Sequence, residues 1–101
     1  MSSYVKKRLF QGFICIHILH HAQKDPIYGA WMLDELAEHG YKLSPGTLYP
    51  ILHSLEKENL LLSFEENVDG KIRKNYKTTL EGDKELAEAQ VYLRELIGEV
   101  I

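Results

Sequence analysis

Apolar residues recur at helical spacing from the start of the chain. Val5, Leu9, Phe13, Ile16 and Leu19 (or His20) form one stripe between about Tyr4 and Ala22, and Phe10, Ile14, Cys15 and Ile18 carry the apolar surface round the helix. A surface helix of a small domain needs one apolar stripe. A helix apolar on more than one side has to be covered twice, and in a chain this short that points to a partner subunit. Gln23-Lys24-Asp25-Pro26 ends the run, because the residue before a proline resists helical angles. A second helix is expected from Ile27–Tyr28 to about His39, with Trp31 or Met32, Leu33, Leu36 and Ala37 on its core face and Gly40 as its stop. Tyr41-Lys42-Leu43-Ser44 reads as a connector able to pair as an edge strand. Ser44 suits an N-cap, and Pro45 falls at the first helical position, where its missing N–H costs nothing. A third helix then runs to about Asn59 with Leu48, Ile51, Leu52 and Leu55 on one face. Pro50 sits near its start, where the hydrogen-bond ladder is only beginning.

After Asn59 the period changes from helical to strand-like. The segments LLLSFEENV and KIRKNYKTT flank Asp69-Gly70, a strong signal for a two-residue hairpin turn. In the second segment Ile72, Lys74 and Tyr76 point one way and Arg73, Asn75 and Lys77 the other. Thr79 is placed to cap a last helix, with Glu81 and Asp83 in a first turn where acids suit the helix dipole. Leu86, Leu93 and Val100 lie seven apart in it, with Leu96 or Ile97 between: a weak heptad. The predicted fold class is mostly α with a small β-hairpin wing. Three helices followed by a hairpin make a winged helix-turn-helix over residues 1–79. A C-terminal dimerisation helix follows over 80–101.

Composition narrows the class. A chain of 101 residues, 45% apolar and 27% charged, is one soluble globular unit with one core. No apolar run approaches the roughly 20 residues of a membrane span. The basic start MSSYVKKRLF lacks a small-residue cleavage site after a clean apolar core, so no signal peptide is expected. One cysteine, Cys15, rules out an internal disulfide, and a cytoplasmic, reduced protein is expected. The net charge of −3 argues against indiscriminate nucleic-acid binding, but the charge is unevenly spread. Residues 1–24 hold Lys6, Lys7, Arg8 and Lys24 with no acid, and 71–77 hold Lys71, Arg73, Lys74 and Lys77 with none. The same clusters also fit plain solvated surface.

The segments IYGAWMLDEL, SPGTLYPILHSLEKENLL and GKIRKNYKTTLEG, in this order and spacing, resemble the PadR family of bacterial transcriptional regulators. The resemblance covers about residues 9–86. It rests on Tyr28-Gly29, on Gly46-Thr47-Leu48-Tyr49-Pro50 with Leu52, Leu55 and Glu56, and on Arg73-Lys74 with Tyr76, Thr79 and Gly82. Thr78 stands where the family usually has an apolar residue. The last helix is short, as in the compact members, and has no tryptophan of the kind some multidrug-sensing members use to stack a planar ligand.

The resemblance implies a homodimer on a double-stranded DNA operator, most simply as a repressor on a palindrome. The expected interface comprises Leu9 and Phe13 of helix 1 with Leu86, Leu93, Leu96, Ile97 and Val100 of the last helix. Helix 3 then enters the major groove by its first turns. Ser44 and Thr47 are suited to donate to phosphate or a base edge, Tyr49 to reach a phosphate, and Pro50 to meet a thymine methyl, with His53 one turn further. Lys71, Arg73 and Lys74 of the wing are expected over the adjacent groove, with Asn67 and Gly70 shaping the turn. Lys6 and Lys7 are further candidates for backbone contacts. Glu65, Glu66 and Asp69 are expected to face away from the phosphates. Phe10, Trp31 and Tyr92, with Tyr28 and Phe13, are candidates to line a pocket between subunits for a small aromatic or hydrophobic effector, although aromatics at helical spacing are more often core.

Other constellations weigh less. His17 and His21 are four apart on a helix, near His20 and Cys15, a spacing able to chelate. No carboxylate or cysteine completes a ligand set within that segment, so a helix-end or interface role is favoured and no metal or cofactor is expected. Glu56 and Glu58 face different ways, Glu35 and Glu38 are neighbours on a surface turn, Cys15 lies in the apolar run, and no phosphate-cradling glycine loop exists, so no enzyme is expected. The rival reading is a winged-helix module that binds a protein partner and not DNA. The negative net charge and the acids of the first wing strand favour it.

Overall fold

The structure, a computed structural model, describes residues 3–101. The first two residues of the expected 1–79 unit lie outside that range. The elements are α1 (Tyr4–Lys24), β1 (Ile27–Tyr28), α2 (Gly29–Glu38), α3 (Pro45–Lys57), β2 (Leu61–Val68), β3 (Lys71–Thr78) and α4 (Leu80–Val100). One core holds them. α1 contributes Ile14, Ile18 and Leu19, α2 contributes Met32 and Leu36, and α3 contributes Leu48, Leu52 and Leu55. Leu61 and Tyr76 close it from the sheet and Leu86 from α4.

Two expectations about the elements are corrected. α2 begins at Gly29, because Ile27 and Tyr28 are extended and pair antiparallel with Tyr76 and Asn75 of β3. The sheet therefore has three strands in the order β1-β3-β2. The connector 41–44, expected to be able to pair as an edge strand, forms none. Pro26 explains the difference: it holds Asp25 extended (φ −163°, ψ 146°), so the chain leaves α1 already in strand geometry.

Local chemistry sets the ends of the helices. Gly40 (φ 92°) follows α2, and the Tyr41 N–H donates to the Leu36 carbonyl at 2.9 Å, closing a Schellman turn. Asn59 (φ 61°) does the same after α3, with the Leu60 N–H on the Leu55 carbonyl at 2.9 Å. Thr79 caps α4: its Oγ1 accepts the Gly82 N–H at 2.9 Å and donates to the Asn59 carbonyl at 2.6 Å. Gly82 carries no side chain because the Leu60 carbonyl occupies the space a β-carbon would need.

The wing turn is as the sequence predicts. Val68 pairs with Lys71 across Asp69 (φ 53°) and Gly70 (φ 83°), the left-handed pair of a type I′ turn. Asn67 Oδ1 accepts the Gly70 N–H at 2.9 Å and locks it.

α4 packs on its own subunit chiefly by its first turns, where Gly82 and Leu86 are buried, with Leu93 half-buried further along beside Phe13 and Ile16 of α1. Leu86 was expected at a subunit interface. At 1% exposure it belongs instead to the core of its own subunit, since the N-terminal part of α4 lies against α1. Beyond it, Val91, Leu96, Ile97 and Val100 are exposed apolar residues, and so are Val5, Leu9 and Phe10 of α1. Among the described residues no helix is long and apolar enough to cross a membrane.

Candidate nucleic-acid interface

α3 turns Leu48, Leu52 and Leu55 into the core, and its period of 3.6 leaves Ser44, Thr47, Tyr49, Pro50 and His53 exposed together. Ser44 sits at the N-cap with extended backbone, but its side chain caps no backbone N–H. Its hydroxyl lies 3.2 Å from the Thr47 hydroxyl instead. Pro45 has no N–H and the Thr47 N–H donates to the Ser44 carbonyl at 3.0 Å, so the start of α3 presents two paired hydroxyls beside the Gly46 N–H, an arrangement suited to a phosphate. Pro50 falls at the third rung of the ladder, after Leu48 to Ser44, and removes the donor that the Gly46 carbonyl would otherwise take. That rung faces solvent, so water or a ligand is free to satisfy the carbonyl.

Tyr49 is 39% exposed and lies against the first residue of α2. A β-carbon on Gly29 would stand 2.6 Å from Cε1 and Cζ of its ring, well inside contact distance. Gly29 is the seat that lets Tyr49 lie flat between α2 and α3. His53 is tilted against the Tyr49 ring at 6.5 Å between centroids.

The three wing bases take different roles. Lys74 shares the core side of β3 with Tyr76. Its Nζ is 3.8 Å from Glu56 Oε1 of α3 and 5.5 Å from the centre of the Tyr76 ring. Glu56 is held in turn by the Ser63 hydroxyl. Burial pushes the Tyr76 phenol above its ordinary pKa, so it stays neutral beside this pair. Arg73 points to the other face and stacks its guanidinium on Tyr28, 3.9 Å from the ring centre. Lys71 is exposed beside the turn.

Glu65, Glu66 and Asp69 lie among the wing bases. Glu65 lies directly opposite Lys74 and Glu66 directly opposite Arg73 in the ladder, and Asp69 lies in the turn beside Lys71. Successive residues of a strand point to opposite faces, so two adjacent acids cannot both turn away. Glu66 Oε1 also accepts from the buried Asn75 side chain at 3.1 Å. The acids share faces with the bases and temper the charge of the wing.

Between these parts runs a groove of about 520 Å³, with Tyr28, Gly29 and Tyr49 on one wall and Lys71, Arg73 and Lys74 on the other. Tyr28 and Gly29 were missed as parts of this surface. The Tyr28-Gly29 pair was visible in the sequence, but its role depends on a strand two residues long.

The aromatic residues expected to share an effector pocket are not gathered within one subunit. Phe10 packs edge-on against Tyr41 at 5.1 Å and Trp31 edge-on against His21 at 5.3 Å. Those contacts lie about 16 Å apart along α1 at 1.5 Å per residue. Tyr92, 73% exposed, stands on the far half of α4. Phe10 instead borders an apolar groove of about 620 Å³ between α1 and α3, with Ile14, Cys15, Leu43, Pro50 and Ile51. Burial raises the pKa of the Cys15 thiol there, which favours its protonated form. Of the expected interface residues, Leu9, Leu96, Ile97 and Val100 are exposed, whereas Phe13 and Leu93 are half-buried.

A match to a known family decides the class. Residues 18–88 match the transcriptional regulator PadR-like family. The chain belongs to the PadR-like family. It is 49% identical over 86 residues to the transcriptional regulator Rv3488 of Mycobacterium tuberculosis, covering 85% of this chain and 80% of that one. Its structure superposes on a PadR family regulator from Eggerthella lenta with a TM-score of 0.83 at 34% identity, covering 97% of this chain and 87% of that one. A PadR family regulator from Clostridium difficile gives a TM-score of 0.79 at 30% identity, covering 85% and 92%. This PadR-like chain is a winged-helix transcriptional regulator, of a DNA-binding family that is not enzymatic.

Proposed function

We propose that this regulator acts as a homodimer that binds a palindromic operator through α3 and the wing and represses transcription. The observation that carries the reading is the common exposure of Ser44, Thr47, Tyr49, Pro50 and His53 on the outer face of α3, beside a basic hairpin. Two copies of that face related by a two-fold axis fit half-sites about one helical turn apart. The exposed apolar residues Val5 and Leu9 of α1 and Leu96, Ile97 and Val100 of α4 are the surface over which the copies join. A hydrophobic effector would enter the Phe10 groove, which reaches Thr47, Pro50 and Ser54 of the reading helix.

The wing test follows from its geometry. Lys74 is already paired with Glu56, so the proposed phosphate contacts are Lys71 and Arg73. The double variant Lys71→Ala, Arg73→Ala is expected to weaken binding to operator and random duplex alike. It should reduce the salt slope by about 2, near one unit per lost phosphate contact. An unchanged slope would remove the wing from the contact. The rival reading, a module for a protein partner, draws on Glu65 and Glu66 standing opposite the wing bases. It predicts no salt-sensitive DNA affinity in the wild type.

A further inference from the structure

α1 and α2 bring together a histidine cluster that neither helix holds alone. His17 and His21, one turn apart on α1, have parallel rings (9°) with centroids 6.3 Å apart. His39 reaches them from the C-cap of α2, where the Schellman turn through Gly40 fixes its position, and its ring stacks on His17 at 4.8 Å. One ring nitrogen from each of the three lies within 4.8 Å of the others. Glu35, one turn before His39, stands with Oε1 3.3 Å from Nε2 of both His21 and His39.

We propose that His17, His21 and His39 form a binding site for a divalent transition-metal ion of the zinc type, with Glu35 supplying the balancing carboxylate. Imidazole nitrogen suits Zn²⁺ and its neighbours Ni²⁺ and Cu²⁺, and three nitrogens leave a fourth position for water or another donor. Zn–N bonds of about 2.0–2.1 Å place donors roughly 3.3 Å apart round a tetrahedral ion. The nitrogens, now up to 4.8 Å apart, would have to close to that spacing, and His39, half exposed at a helix end, is the ring with room to move. The rings are also in the right protonation state. Burial first, and the neighbouring histidines after it, hold His17 below its ordinary pKa, and burial lowers His21 despite Glu35, so both are neutral ligands near pH 7. Glu35 orients two of the three rings, as carboxylates do beside metal-bound histidines. Tyr41 against His17 and Trp31 against His21 wall the cluster. Lys24 is the cation that opposes an incoming ion. An ion here would tie the C-terminal part of α1 to the end of α2, immediately before the turn into α3.

The test uses the untagged full chain, stripped with chelator, and metal alone without DNA, so its failure leaves the operator reading untouched. Zn²⁺ is titrated by calorimetry and Co²⁺ by visible absorption. One ion per chain is expected, with the visible bands of a nitrogen-ligated Co²⁺ site. His17→Ala and His39→Ala should each weaken binding more than tenfold, Glu35→Gln by about tenfold, and His20→Ala not at all. His39 is half exposed, so its variant tests the site without disturbing the core, and circular dichroism checks the fold of each. Less than one ion per chain, wild-type affinity in both His17→Ala and His39→Ala, or equal loss in His20→Ala would overturn the site.

Discussion

Gly29 shows how a single residue sets the surface of this regulator. A methyl group there would collide with the ring of Tyr49, which lies between α2 and the exposed face of α3. Gly29→Ala is expected to push Tyr49 off its seat. It should cost about 1–3 kcal/mol of stability by overpacking and weaken operator binding; denaturation and binding curves within error of wild type would contradict the seating. The histidines make a second residue-scale prediction. His17 and His21 titrate below 6.5 in the folded chain because burial disfavours their charged form. As pH falls through 6.5 the unfolded chain takes up these protons first, so stability declines, and the loss levels off below the folded pKa values. Urea midpoints of metal-free protein should therefore fall between about pH 7.5 and about pH 5.5. The His17→Gln, His21→Gln variant should lose part of that slope, and an unaltered slope would contradict the assignment.

At the scale of elements, α4 begins where Thr79 joins two segments: its hydroxyl caps the helix and donates to the Asn59 carbonyl at the end of α3. Thr79→Ala should cost about 1–2 kcal/mol, read as a shift in the denaturation midpoint without a change in slope. A loss below about 0.5 kcal/mol would make the cap an ordinary surface contact. The elements also mark what a sequence makes legible. The Asp69-Gly70 turn, the Thr79 cap and the leucine face of α3 depend on neighbours within a turn or two, and each stands where the pattern puts it. β1 does not, because two residues become a strand only by pairing with Tyr76 and Asn75, nearly half the chain away. The exposed face of α3 was legible for the same local reason. The Arg73–Tyr28 stack, the Lys74–Glu56 pair and His39 beside His17 were not, since each joins separate elements. Leu86 failed differently: its heptad spacing is real, but periodicity does not say whether the covering surface belongs to the same subunit.

At the scale of the whole molecule, two features look outward. The outer face of α3 and the wing carry polar and basic groups, whereas the far half of α4 and the start of α1 carry apolar ones. The first suits a polyanion and the second a copy of itself; in the proposed dimer the second would present the first in duplicate to a two-fold operator. The most direct measurement is fluorescence anisotropy on DNA from upstream of the protein's own gene and on a scrambled duplex. Wild type is compared with a Leu96→Asp, Ile97→Asp variant whose mass is checked in solution. The wild type should bind as two chains per operator, about a thousandfold or more tighter than the scrambled duplex. The variant should be monomeric and bind both duplexes weakly and alike. Equal affinity of the wild type for both duplexes, or full specificity retained by a monomeric variant, would contradict the account.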